Sequence, residues 1–371
     1  MKIPSFKVDF TEDDIDFITN NFKDILRGKT FLSQYKHCEE FEKKFAEYIG
    51  TKYAASVTNG TCALEIILRI LDFKGKEVIV PTNTSAATAF AVIHAGGIPV
   101  FADCGDDLTL DPEDVRKRIT DKTKAIMTVH IGGLISPSTQ ELMEICKDND
   151  LYFVEDAAQA HGSTLDNRKA GTFGIANGFS FFSTKVMTTG EGGMITTNNE
   201  DIYNKTLILR NQAKIWKGIY QNYHEEIGNN WRMLEVVALL GLRQLRRLED
   251  FIKRRNEIAK IYNEEFSNFD KLSILNISHN VRTNYYKYVL FLNGFDREKL
   301  HKELKEKYNI AMGGYVFEIP LHMIPAFKNF VRARLPKSEK LCATHICPPI
   351  FFRMTDEEAL YVAKSIKECL K

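Results

Sequence analysis

The sequence holds no Cys-x-x-Cys pair, and its seven cysteines (Cys38, Cys62, Cys104, Cys146, Cys342, Cys347 and Cys369) are scattered. Such spacing argues against zinc and dithiol-redox chemistry, and an odd count without a framework fits reduced thiols in a cytoplasm. No apolar run reaches membrane-spanning length, and the opening MKIPSFKVDFTEDD has no signal-peptide core. Charge of either sign is not in excess: 50 basic and 49 acidic residues leave a formal charge of +1. That balance gives no general attraction to nucleic acid or to an anionic membrane. A GxxxxGK[ST] phosphate loop, internal repeats and low-complexity linkers are also missing. The expectation is a soluble cytoplasmic protein without a metal site. At 371 residues it is long enough for more than one closely packed domain.

What is present is an alternation of short apolar runs and helical patterns. Thr11 to Asp14 form a plausible helix start, and EEFEKKFAEYI continues as a second helix. YAASV, EVIVP, PVFAD, AIMTVH and LYFVED read as strands, separated by segments of helical periodicity such as CALEIILRIL and DPEDVRKRI. In the latter Asp111 is the expected N-cap and Pro112 the first helical residue. Continuous apolar strands alternating with helices predict an α/β fold whose mostly parallel sheet is covered on both faces. After about residue 200 the pattern changes. Residues 233–266 read as one long helix or two joined ones, whose basic residues are interleaved with acids as on a solvated face. YYKYVLFL at 285–292 suggests a strand, and DREKLHKELKEKY and the tail from Thr355 suggest helices. The expected division is a large domain over 1–232 and a smaller C-terminal α+β domain over 233–371.

The chain is organised around FSFFSTKVMTTGEGG at 179–193. Phe179, Phe181 and Phe182 read as a buried strand that delivers Lys185 into a Ser/Thr/Gly-rich turn. Burial disfavours an ammonium, and a lysine that can be neutral is a nucleophile able to form a Schiff base. VTNGT at 57–61 sits between a strand and a helix, where free amides and the helix dipole favour an anion and Gly60 allows close approach. VEDAAQAHGS at 154–163 places Asp156 just past a buried strand. A carboxylate there needs a partner: an arginine, backbone amides, or the protonated ring nitrogen of a cofactor. A lysine, an aspartate and a helix N-terminus for a phosphate together are what pyridoxal phosphate requires.

At these stretches, and at FEKKFAEYIG, AGGIPVFAD, KAIMTVH, NWRMLEVVALLGLRQL and PLHMIP, the sequence resembles the DegT-type sugar aminotransferases, pyridoxal phosphate enzymes of fold type I. The resemblance implies a seven-stranded-type sheet in the large domain. It implies that Lys185 is the Schiff-base lysine, Asp156 the partner of the pyridine nitrogen, and Gln159 the amide lying against the cofactor ring. Gly60, Thr61 and Ser180 correspond to phosphate-binding positions, and Asn230 to an asparagine lent to the phosphate across a homodimer interface. The expected reaction moves an amino group from L-glutamate to a ketone, foremost a nucleotide-linked keto-deoxy-sugar for surface polysaccharide or natural products. A small phosphorylated ketone of the dihydroxyacetone phosphate type and a keto-cyclitol are alternative acceptors, and a non-catalytic scaffold or regulator is the alternative of another class. Lys185 argues against the family's dehydratase branch, which carries histidine there. Three departures stand out. Ser85 falls where many members carry an aromatic that stacks on the cofactor, Gln212 and Ala213 replace a common His-Gly, and Trp231 replaces a usual Tyr.

Overall fold

The computed structural model describes all 371 residues. Its centre is a seven-stranded sheet of β1 (Tyr53–Val57), β2 (Glu77–Pro81), β3 (Ile98–Ala102), β4 (Thr123–Val129), β5 (Tyr152–Asp156), β6 (Ala176–Ser180) and β7 (Gly193–Thr197). The spatial order is β1-β7-β6-β5-β4-β2-β3. All neighbours pair in parallel except those of β7, which runs antiparallel to both β1 and β6. The expected α/β architecture with a mostly parallel sheet is therefore observed. β7 itself was not foreseen, because GMITT is short and opens on glycine.

Helices cover both faces. Before the sheet come α1 (Glu12–Leu26) and α2 (Lys36–Ile49); between its strands run α3 (Gly60–Ile70), α4 (Ala86–His94), α5 (Pro112–Arg118) and α6 (Thr139–Asp148). α1 starts at Thr11, whose hydroxyl accepts from the Asp14 amide while the Asp14 carboxylate accepts from the Thr11 amide, a capping box. After α7 (Glu200–Leu209) an exposed hairpin pairs Lys214–Lys217 with Tyr220–His224. The long helical stretch resolves into α8 (Glu235–Arg246) and α9 (Leu248–Phe266). The division expected between 232 and 233 falls just before α8, whose Ala238, Leu242 and Leu245 belong to the core of α2 and the sheet. The chain changes cores within α9. Leu248, Phe251 and Ile252 join that first core, whereas Ile258, Ala259, Tyr262 and Phe266 join another with α10 (Arg297–Tyr308) and the last long helix, Asp356–Cys369.

Two readings are corrected. In 285–292 only Leu290–Leu292 is a strand. Tyr285 lies at φ 46°, and the Asn284 carboxamide takes the Tyr286 amide (2.8 Å), so this segment is an irregular wall of the site instead of a ladder. The aromatic run at 179–182 leaves the sheet at Ser180. Phe179 and Phe181 are fully buried against Phe41 and Phe45 of α2, with ring centroids 5.0–5.5 Å apart, but Phe182 is 43% exposed. Each aromatic pair adds roughly 0.5–1.5 kcal/mol beyond its buried area, so this packing anchors the strand that leads to Lys185.

Close backbone approach ties β1's turn to β6 and β7. A Cβ on Gly193 would lie 2.3 Å from the Asn59 carbonyl oxygen, and one on Gly60 would lie 2.8 Å from Ser180 Cβ. Gly193→Ala is therefore expected to destabilise the protein by about 1–3 kcal/mol in denaturant unfolding, since the obstacle is backbone that cannot swing aside. Unchanged stability would mean that the turn is not pinned to the sheet.

Candidate active site

The strands of a parallel sheet end on one edge, and in open α/β folds ligands bind there. Asn59, Gly60 and Thr61 follow β1, Asp156 ends β5 with Ala158 and Gln159 just after it, and Ser180 ends β6 with Phe182 and Lys185 just after it. With Leu64, Ser85, Ala87 and Glu191 they line one cavity of about 400 Å³. Six of the seven residues expected in the site are thus brought together. Asn230 does not line the cavity. It is exposed, bridged to Asn211 across a backbone pair.

Asn59 caps α3 through its side-chain oxygen, which accepts from the Cys62 amide at 2.9 Å. The first amides of the helix, at Gly60 and Thr61, have no acceptor within it and are available to an anion. The Ser180 oxygen accepts from the Phe182 amide (3.3 Å), which leaves its hydrogen free to donate. The absence of a Cβ at Gly60 lets the turn sit directly on Ser180, which brings these donors to one place, so the turn fits a phosphate.

Asp156 is buried, and its partners are neutral: the Thr88 hydroxyl donates at 2.7 Å and the Ala158 amide at 3.2 Å. Burial raises its pKa above 3.8, and the Thr88 and Ala158 hydrogen bonds with the Lys185 and His130 charges only partly oppose that. No arginine pairs with it. The carboxylate therefore keeps acceptor capacity toward the cavity, which suits a protonated ring nitrogen.

Lys185 is half-buried, with its ammonium 4.7 Å from the centre of the Tyr286 ring. The Tyr286 hydroxyl meets Thr184 Oγ1 at 3.1 Å. Burial opposes ionisation of that phenol, but Lys185, Lys287, Thr184 and Arg255 together hold it below its usual value. Gln159 is fixed at both ends: its side-chain oxygen accepts from the Gly132 amide (2.8 Å), and its carbonyl accepts from Asn284 Nδ2 (2.9 Å). Asn284 also donates to the His161 carbonyl at 3.0 Å, so a single buried carboxamide ties the 283–286 wall to the loop after β5.

Sequence reasoning missed Thr88, Asn284 and Tyr286, which are separated from the groups they serve by tens of residues or more. A carboxylate predicted to be buried and in need of a partner was the available signal for Thr88. Ser85, expected as a lost stacking position, lines the cavity and caps α4 through the Ala87 amide at 3.3 Å. Gln212 and Ala213 lie outside the cavity at φ 62° and 54°, a left-handed conformation that glycine adopts more readily.

The model of the DegT/DnrJ/EryC1/StrS aminotransferase family matches residues 12–367. The chain belongs to this family. It is a transaminase, and the family depends on pyridoxal phosphate, which the residues of the cavity fit. It is 34% identical over 374 residues to GDP-perosamine synthase of Escherichia coli O157:H7, with 99% of this chain and 98% of that protein covered. It is 33% identical over 331 residues to the dTDP-3-amino-3,6-dideoxy-alpha-D-galactopyranose transaminase of Aneurinibacillus thermoaerophilus, covering 88% of each. Among solved structures, PseC of Helicobacter pylori, an aminotransferase of pseudoaminic acid biosynthesis, superposes with a TM-score of 0.92 at 25% identity, covering 100% of this chain and 99% of that one. No helix here is long and apolar enough to cross a membrane.

The raised pKa of Asp156 has a sign. A folded-state value above the unfolded one means that the native state resists ionisation, so stability is lost as pH rises from about 3.8 through the folded value. In the cofactor-free transaminase Asp156→Asn should then be at least as stable as wild type at neutral pH and lose that advantage toward pH 4. Thermal unfolding across pH measures this, and a variant clearly less stable than wild type at neutral pH would contradict it.

Proposed function

We propose that this transaminase moves an amino group from L-glutamate to the ketone of a nucleotide-linked keto-deoxy-sugar in the cytoplasm, for surface polysaccharide or natural-product biosynthesis. The observation that carries the reading is the convergence of Asp156, Lys185, Gln159, Ser180 and the Gly60–Thr61 turn on one cavity. The named activities of the relatives, on GDP- and dTDP-linked sugars, support the acceptor class.

Pyridoxal phosphate, when bound, supplies an electron sink for the carbon that loses a proton. Asp156 would hold the ring nitrogen protonated, because an ionised carboxylate in a low-dielectric site favours a cationic partner. The Gly60 and Thr61 amides and the Ser180 hydroxyl would hold the phosphate. Gln159, clamped by Gly132 and Asn284, would keep the ring from tilting. Lys185 would act as the base that takes the substrate proton and the acid that returns it one carbon away. With Ser85 in place of an aromatic, one ring face gains no stacking partner from this position.

Asn230 would act in trans, in a homodimer with shared sites. Nearby in sequence, Trp216 (73% exposed), Ile219 (88%), Tyr220 (63%) and Ile227 (85%) leave apolar side chains exposed that a second copy would cover.

Three outcomes test the proposal. A screen of GDP-, UDP- and dTDP-linked keto-deoxy-sugars with L-glutamate should yield an amino-sugar product. Turnover of only a keto-cyclitol or a small phosphorylated ketone would overturn the acceptor class. Asp156→Asn should lower the rate of the loaded enzyme by about a thousandfold, roughly 4 kcal/mol of transition-state stabilisation; near-normal rates would make Asp156 a structural carboxylate. Finally, Lys185→Ala and Asn230→Ala, each inactive alone, should recover up to about a quarter of wild-type activity when subunits exchange, because about half the dimers are mixed and each holds one intact site. No recovery from exchanged mixtures would place Asn230 on its own chain's cofactor.

A further inference from the structure

Lys185 also lines a second and much smaller cavity, of about 20 Å³. Its lining includes Lys7, Ser183, Thr184, Lys185, Gln244 and Arg255, beside apolar side chains such as Phe251. Space of that size admits one or two particles as large as water, each needing roughly 10–15 Å³.

Arg255 is the unusual member. It is only 6% exposed, yet no carboxylate lies within ion-pair distance of it. Its single hydrogen bond within the protein runs from Nη1 to the Tyr285 carbonyl at 2.9 Å. A guanidinium carries five N–H donors, and a buried charge without a counter-charge is costly. Burial brings its pKa down to about 10, which still leaves it cationic at neutral pH. Other charges around the cavity do not compensate it. Lys185 is a second cation on the same wall. Asp9 is the one carboxylate in the lining, and it is already paired with Arg247 and Arg353. Tyr286, which faces Lys185, is the one neutral acid able to serve as a counter-ion, and it would have to give up its proton to do so.

We propose that this cavity is a site for a single small monovalent anion, a halide such as chloride, which neutralises Arg255 beside Lys185. A halide matches the volume, needs only N–H and O–H donors, and leaves the Asp9 pairs intact. A carboxylate or phosphate is larger than the space of about 20 Å³. The site is separate from the phosphate turn at Gly60, and the proposal does not rest on the identity of the sugar acceptor or on the reading of Asn230.

Bromide is the probe. Crystals of the holoenzyme grown with bromide in place of chloride should show an anomalous peak in contact with Arg255, and Arg255→Met should lack it. In solution, replacing gluconate with chloride at constant ionic strength should raise the melting temperature of wild type by about 2 °C and leave Arg255→Met unmoved. A wild-type site holding water only, with no bromide signal, would overturn the proposal, as would equal melting temperatures in the two salts. A tyrosinate absorbance at neutral pH that disappears in Tyr286→Phe would also overturn it, by making the phenolate the counter-ion. Should Arg255→Met fail to fold, the wild-type bromide experiment and the salt comparison decide the matter by themselves.

Discussion

A carboxylate kept out of water at the end of a strand sets the terms for the rest of this molecule. Asp156 is held by one hydroxyl and one amide, both neutral, and by no basic side chain within pairing distance. Burial raises its pKa above the ordinary carboxylate value, so the arrangement disfavours the charged form. A cation arriving in the cavity favours it, and a protonated pyridine ring is such a cation. The fold therefore tolerates a local cost in the empty state that binding of the cofactor can offset. Around it the protein spends ordinary stabilising interactions to keep the geometry fixed. The neighbouring Glu155, which points to the other side of β5, accepts from the amides of Gly171, Phe173 and Gly174 at 2.7–2.8 Å and meets His130 Nε2 at 2.9 Å. With every lone pair of Glu155 engaged, the strand end cannot slide, and Asp156 stays aimed at the cavity.

The same logic of remote fixing recurs at the other groups. Gly60 and Gly193 let the β1 turn sit directly on β6 and β7, so the free amides at the start of α3 are placed by backbone contact. Asn284 joins the loop after β5 to the wall that carries Tyr286, and so the position of Gln159 and the surroundings of Lys185 are set together. The aromatic cluster of Phe41, Phe45, Phe179 and Phe181 holds the strand that precedes the lysine. Lys185 itself is half-buried and bears on the Tyr286 ring face, with no hydrogen bond from its side-chain nitrogen to the protein.

Much of this was legible in the sequence. Five of the sheet strands are apolar runs between helical patterns, and most of the residues that meet in the cavity sit at or just past strand ends, where a parallel sheet collects them. What was not legible has physical reasons. β7 is short and glycine-flanked, so its pattern resembles a loop. Thr88 and Asn284 act through single hydrogen bonds to segments 68 and 125 residues away, which no local pattern encodes. YYKYVLFL has the composition of a strand, but Asn284 and the positive φ of Tyr285 draw its first half into the site wall. Phe182 looked like core because its neighbours are, and its exposure follows from the turn that presents Lys185.

The central claim is that Lys185 is the residue that bonds the cofactor. Reducing the holoenzyme with borohydride and sequencing its peptides by mass spectrometry tests this directly. The account predicts a stable pyridoxyl phosphate adduct on the peptide that carries Lys185, in near-stoichiometric yield and on no other lysine. An adduct on a different lysine, or none in a preparation that binds the cofactor, would contradict it.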